Sequence, residues 1–163
     1  NTTPSDLDPL GLSGAEDKMA LALDLVNVRL ILEPGIAEMA ALNATEEAIL
    51  ELRCCCERVE ERIASGDMYI QDDIAFHTSV ARCSGNKVVE QLIPIIDTAV
   101  MMFVNVTHQR LTKETVMTHR AIVDAISDRD PIGAKTAMMM HMTYNRNMIL
   151  KLIREEKEKN HKE

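Results

Sequence analysis

A chain of 163 residues can close one hydrophobic core and suits a single domain. Its 46% hydrophobic and 27% charged residues are the composition of a soluble globular protein, and a net charge of −8 argues against the chain gripping a nucleic-acid backbone by itself, since phosphate binding needs clustered Lys and Arg. No apolar run is long enough for a membrane span, and the N-terminus lacks the charged-then-apolar pattern of a signal peptide. Aromatic residues make up only 2%, so the core must come from Leu, Ile, Val, Ala and 11 Met, a selection that favours helices.

In chain order, residues 1–12 carry Pro4, Pro9 and Gly11 and read as a linker or tail; the start at Asn1 rather than Met points to a fragment, a processed form or missing upstream residues. Ser13 and Glu16 have capping-box spacing and open a long helix to about Leu42, with the apolar stripe Leu21, Leu25, Val28, Leu32, Ile36, Met39 and a kink expected at Pro34. Thr45 caps a second helix that Gly66 ends, with the stripe Ile49, Leu52, Cys56, Val59, Ile63. A third helix carries Ile70, Asp73, His77 and Val80 on one face and stops at Ser84-Gly85-Asn86. The fourth runs from Lys87 toward Thr107 with the stripe Leu92, Ile95, Ala99, Met102, Val106 and a second kink expected at Pro94.

Thr112 is the expected cap of a fifth helix, with Val116, His119, Val123 and Ile126 inward. Asp130-Pro131 opens a sixth, whose stripe is Ala134, Met138, His141, Asn145, Met148, Leu152. The end from Arg154 is densely charged and is expected to fray, so the helical domain is placed at 13–155 and a charged tail at 156–163. No period-2 alternation competes with these helices, which predicts an all-α, antiparallel bundle of about six to seven helices. Of the four Cys, Cys54, Cys55 and Cys56 are consecutive and Cys83 stands alone, which is neither a disulfide framework nor a metal knuckle. Cys56 reads as a small core residue and the others as incidental; reduced thiols fit a cytoplasmic protein.

Three of the five His fall on the inward stripes of three different helices, and the one Asp on such a stripe, Asp73, sits four residues from His77. Taken singly, each has an ordinary reading: a core histidine satisfied by a carbonyl, or an i, i+4 pair. Taken together, Asp73, His77, His119 and His141 can share one divalent ion, because facing helices of a bundle build metal sites in the core. Three imidazoles and a carboxylate suit Zn²⁺, with Ni²⁺ or Mn²⁺ as alternatives. One carboxylate leaves a net charge of about +1, which attracts a small chelating anion.

At these residues the sequence resembles the C-terminal effector-binding (FCD) domain of FadR-type GntR transcription regulators. The resembling segments are Val28-Arg29-Leu30-Ile31-Leu32-Glu33-Pro34 with Ala40-Ala41, Asp73-Ile74-Ala75-Phe76-His77 with Ser84-Gly85-Asn86, His119-Arg120-Ala121-Ile122-Val123-Asp124-Ala125-Ile126, and Met138-Met139-Met140-His141. They follow in the family's order over roughly residues 19–153; Thr118 departs from it, since an acidic residue is common there. In the metal-binding branch, the positions matching Asp73, His77, His119 and His141 hold the ion.

The resemblance implies a non-enzymatic sensor. A small carboxylate, such as a hydroxy acid or sugar acid, would bind at the metal; the domain would form a homodimer; and DNA would be bound only through an upstream winged-helix domain that these residues do not contain. Arg29 is then a candidate second anion contact, or alternatively a helical pair with Glu33. Asn145 is a candidate for an effector hydroxyl, or alternatively a satisfied core amide, and Asn105 is a third candidate. Two readings compete: a helical metalloenzyme using metal-activated water, for which no spare general base is evident, and a metal-free interaction domain with structural His.

Overall fold

The computed structural model describes residues 10–12, 14, 17–103 and 110–161, with side chains described outside 98–103. Six helices follow one another: α1 (Lys18–Asn43), α2 (Glu46–Ser65), α3 (Ile70–Cys83), α4 (Lys87–Phe103), α5 (Thr112–Ser127) and α6 (Pro131–Asn160), and no strand occurs among the described residues. The all-α bundle expected from periodicity is therefore the fold.

Short polar side chains set the helix ends. The Thr45 hydroxyl accepts from the Ala48 N–H at 3.1 Å and starts α2; Gly66, at φ 73°, ends it in the left-handed conformation that a Cβ disfavours. Asp130 accepts from Gly133 N–H at 2.9 Å ahead of Pro131. Asn86 Oδ1 accepts from both Val88 and Val89 N–H and so restarts the chain as α4 after α3 stops at Ser84. Two caps differ from expectation. The described cap of α1 is Asp17, which accepts from Ala20 N–H, while Ser13 and Glu16 lie outside the described residues. Thr112 is the first residue of α5 rather than its cap; Leu111 precedes it with no side-chain bond, its own side chain being buried instead. The charged end does not fray at Arg154, because α6 continues to Asn160 and Glu155 is tied to Arg110 at 3.1 Å.

α1 lies against α3, α4, α5 and α6; α2 packs on α3 and α5, and α5 on α6. The main core gathers Ile36, Ala37, Leu52, Phe76, Val80, Ile93, Ile122, Ile126, Met138 and Met142, and a smaller cluster of Ala22, Leu25, Val26 and Ile149 closes one end of α1 and α6. Each fully buried large side chain contributes about 1.5–3 kcal/mol. Cys55 and Cys83 are buried as well as Cys56, a correction to reading them as incidental: α2 is covered by α3 on one side and α5 on the other, so its inward arc is wide enough for residues 52, 55, 56 and 59.

Two stripes are rotated from their expected positions. On α4 the buried residues are Ile93, Ile96 and Asp97, while Leu92 and Ile95 are both 38% exposed. On α1, Val28 is 40% exposed, and the inward row runs Ala22, Leu25, Val26, Arg29, Glu33, Ile36, Ala37. Both corrected rows carry charged residues, and this disguised them.

Candidate metal centre

α3 presents adjacent aspartates to opposite sides. Asp72 faces Arg62 of α2 at 3.3 Å, whereas Asp73 turns inward and is 3% exposed. One turn on, His77 follows on the same face, and α5 and α6 bring His119 and His141 against it, all three buried. Phe76 stacks on the His119 ring with centroids 3.8 Å apart and planes 13° from parallel, fixing that imidazole's plane.

The nitrogens converge. His77 Nε2 and His141 Nε2 are 3.2 Å apart; His119 Nε2 is 3.2 Å from Asp73 Oδ1, and His77 Nε2 is 4.0 Å from the same oxygen. One ligand atom from each of the four residues lies within 4.8 Å of every other. With bonds of about 2.0–2.1 Å, a tetrahedral ion separates its ligand atoms by about 3.3–3.4 Å, so the two shorter distances fit a first-row divalent ion.

The outer nitrogens decide what the inner ones offer. Thr118 donates its hydroxyl to Glu114 carbonyl at 2.7 Å, so its oxygen accepts from His141 Nδ1–H at 2.8 Å. That tautomer leaves His141 Nε2 as a bare lone pair. On the other side His77 Nδ1 is 2.6 Å from Glu33 Oε2, a carboxylate that favours a ring proton on Nδ1. The two Nε2 atoms, 3.2 Å apart, are reconciled either by a proton that His77 donates to His141 or by a cation between them. This arrangement of carboxylate or hydroxyl, imidazole and ion is how proteins orient metal-binding histidines. Thr118, the departure from the family pattern, is thus the residue that orients His141.

Burial works against the charged forms of His119 and His141 and lowers both pKa values, His141 well below the usual range with His119 and His77 adding to the effect. Neutral imidazoles are the ligand form. Burial opposes the charge of His77 too, but Glu33 outweighs it and raises its pKa.

Beyond His77 lies a buried charged group, of which the sequence reading named Arg29 and its helical partner Glu33 but not Asp97. Arg29 of α1 is 3% exposed; its Nε and Nη2 donate to Glu33, and Nε is 3.0 Å from Asp97 of α4. The helical pair of Arg29 with Glu33 is therefore present, and the statement that Asp73 is the one inward Asp is corrected by Asp97, which is 0% exposed. Burial works against the Glu33 carboxylate, but Arg29 and then His77 overcome it and hold its pKa at about 2. Burial pushes Asp97 up to about 7, since Arg29 offsets only part of it and Glu33 adds repulsion. Glu33, His77 and Asp97 also lie within ligand distance of one another, but the Arg29 guanidinium already occupies the place of a cation there. Asp97 was detectable only as a charged residue one row off an apolar stripe.

Asn145 stands one turn beyond His141, half-buried, with its Nδ2 donating to the His141 carbonyl at 3.0 Å. Asn105 lies outside the described residues.

A family model for the FCD domain matches residues 24–144, a span that includes all four converging residues. The chain belongs to the FCD domain family. This FCD domain is 28% identical over 156 residues to the HTH-type transcriptional regulator YcbG of Bacillus subtilis, covering 88% of the chain and 63% of the relative. It is 29% identical over 119 residues to the HTH-type transcriptional repressor NanR of Citrobacter rodentium, covering 71% of the chain and 46% of the relative. Among solved structures it resembles a GntR protein of Streptococcus agalactiae, with a TM-score of 0.79 and 31% identity, covering 88% of the chain and 66% of that protein. The FCD domain thus spans less than two thirds of these relatives, which are GntR-family transcription regulators and not enzymes. No helix among its described residues is long and apolar enough to cross a membrane.

Proposed function

We propose that this FCD domain is the effector-sensing and dimerisation module of a cytoplasmic GntR/FadR-type regulator, in which a core divalent ion, Zn²⁺ first among the candidates, holds a small carboxylate and so controls DNA binding by an upstream winged-helix domain. The observation that carries the reading is the convergence of His77 and His141 Nε2, 3.2 Å apart, with His119 and Asp73 completing the set. Bound, the ion would supply an electrophilic seat for a carboxylate oxygen. The chain's own residues do the rest: Asp73 sets the site's residual positive charge, and Glu33 and Thr118 hold two rings in register.

Arg29 contributes as a wall of the same site. Glu33 takes its Nε and Nη2, which leaves Nη1 as the edge for a ligand oxygen. Asn145 offers its side-chain oxygen to an effector hydroxyl, its Nδ2 being engaged with the backbone. Control of DNA binding requires that the effector bind one arrangement of the domains more tightly than the other. The homodimer reading is supported by the apolar row Val88, Leu92 and Ile95, exposed along α4, and by exposed Val28 and Ile31 on the adjoining α1.

The test is metal analysis of protein purified without a His tag. Near-stoichiometric metal in the parent chain, lost in the His119→Ala/His141→Ala variant and weakened in Asp73→Asn, is the expected result; a metal-free parent chain sinks the reading. Hydroxy acids and sugar acids should then raise the melting temperature of the metal-loaded form only.

A further inference from the structure

The buried carboxylate of Asp97 has no hydrogen-bond donor. Its side chain is 0% exposed, yet neither oxygen accepts a hydrogen bond, because the Arg29 N–H groups that could serve it are directed at Glu33. The Arg29 charge stands 3.0 Å away and offsets only part of the cost of burying the Asp97 carboxylate. A buried polar group left without a partner is costly and calls for an explanation. Position supplies one: an Asp97 oxygen lies within 4.8 Å of a His77 ring nitrogen, so the carboxylate borders the converging imidazoles.

We propose that Asp97 is a specificity-determining residue of the effector site, receiving hydroxyl or ammonium hydrogens of a ligand whose single carboxylate is held at the metal, and rejecting ligands with a second carboxylate. This rests on the reading of the site given above. Charge balance sets the direction. Arg29 already faces two carboxyl groups, Glu33 and Asp97, and Glu33 alone matches its single positive charge, so it has none to spare for a further anion. A second ligand carboxylate placed there meets like charge in a desolvated setting, whereas O–H or N–H⁺ groups give Asp97 the donors it lacks. The ligand class is thus a polyhydroxy or amino-substituted monocarboxylate, and dicarboxylates of the same length are excluded.

The experiment is calorimetric titration of the zinc-loaded chain with six-carbon probes: gluconate, which carries one carboxylate and many hydroxyls; hexanoate, with one carboxylate and no hydroxyls; and adipate, with two carboxylates. Gluconate should bind about tenfold or more tighter than either of the others, the scale of hydrogen bonds to a buried charge. Asp97→Asn keeps the shape and removes the charge, and Asp97→Ala removes both. In each variant the gluconate-to-adipate ratio should collapse toward one with zinc content unchanged. The ratio is taken within a single preparation, so a partly unfolded fraction does not affect it. Preference for adipate or hexanoate in the parent chain, or an unchanged ratio in Asp97→Asn, overturns the role of Asp97 alone. Absence of binding by all three probes overturns the carboxylate-sensor reading and this proposal with it.

Discussion

Glu33 of α1 and His77 of α3 meet at 2.6 Å, and through this contact the first helix of the chain bears directly on one of the four converging side chains. Glu33→Gln keeps the volume but removes the negative charge that holds the proton on Nδ1. Metal affinity should fall about 10–100-fold, the usual cost of losing an outer partner of a ligating histidine. Competition against a chromogenic chelator measures it, with the far-ultraviolet helix signal unchanged; full affinity in the variant would show that Glu33 does not orient the ring.

Thr118 does the same for His141 from α5. Thr118→Val leaves a buried Nδ1–H without an acceptor, at a cost of about 1–3 kcal/mol. The variant should lose metal affinity by about tenfold, whereas Thr118→Ser, which retains the hydroxyl, should bind as the parent does. Equal losses in both variants would place the effect in packing rather than in the hydrogen bond.

Acid should destabilise the metal-free chain. The folded pKa values of His119 and His141 lie below their ordinary 6.5, so below pH 6.5 the unfolded chain takes up protons that these folded rings refuse, and stability falls as pH falls. Two groups oppose them. His77, raised in the fold, adds stability below 6.5 that is lost as pH rises through its folded pKa; Asp97, raised to about 7, adds stability that is lost as pH rises from its ordinary 3.8 through about 7. Toward pH 5 the two lowered histidines outweigh Asp97, and His77 becomes protonated in both states. Urea midpoints of metal-stripped protein should therefore drop as pH falls toward 5; midpoints that rise instead would contradict the neutral state of the two rings. Bound metal should also be released over the same range, as protons compete for the imidazoles.

The exposed row on α4 is tested by charge. Leu92→Glu together with Ile95→Glu should convert a dimer to monomer in sedimentation equilibrium while the melting temperature of the monomer stays close to the parent value, since both residues are 38% exposed within one chain. Buried positions one row away provide the contrast: Ile93→Glu places a charge in the core and should unfold the domain.

The chain's helical periodicity, its turn residues and the four side chains that converge in its core could be read without a structure, for local reasons. Thr45, Gly66, Asp130 and Pro131 act on their own backbone neighbours, so their effect is written in the adjacent residues. Asp73, His77, His119 and His141 could be grouped because each interrupts an apolar stripe, and a polar residue in such a stripe needs a partner.

Tertiary structure alone decided which row of α1 and of α4 faces inward. Hydrophobic periodicity counts apolar residues but carries no information on whether they meet their own chain or another surface, so Val28, Leu92 and Ile95 were assigned to the core although they are exposed. The inward rows instead carry Arg29, Glu33 and Asp97, charges that tolerate burial only because the Arg29–Glu33 pair of α1 and the sequence-distant Asp97 of α4 compensate one another across two helices. That compensation is a property of distances in space. It places Glu33 on His77 and Asp97 beside the site, and no spacing along the chain encodes it.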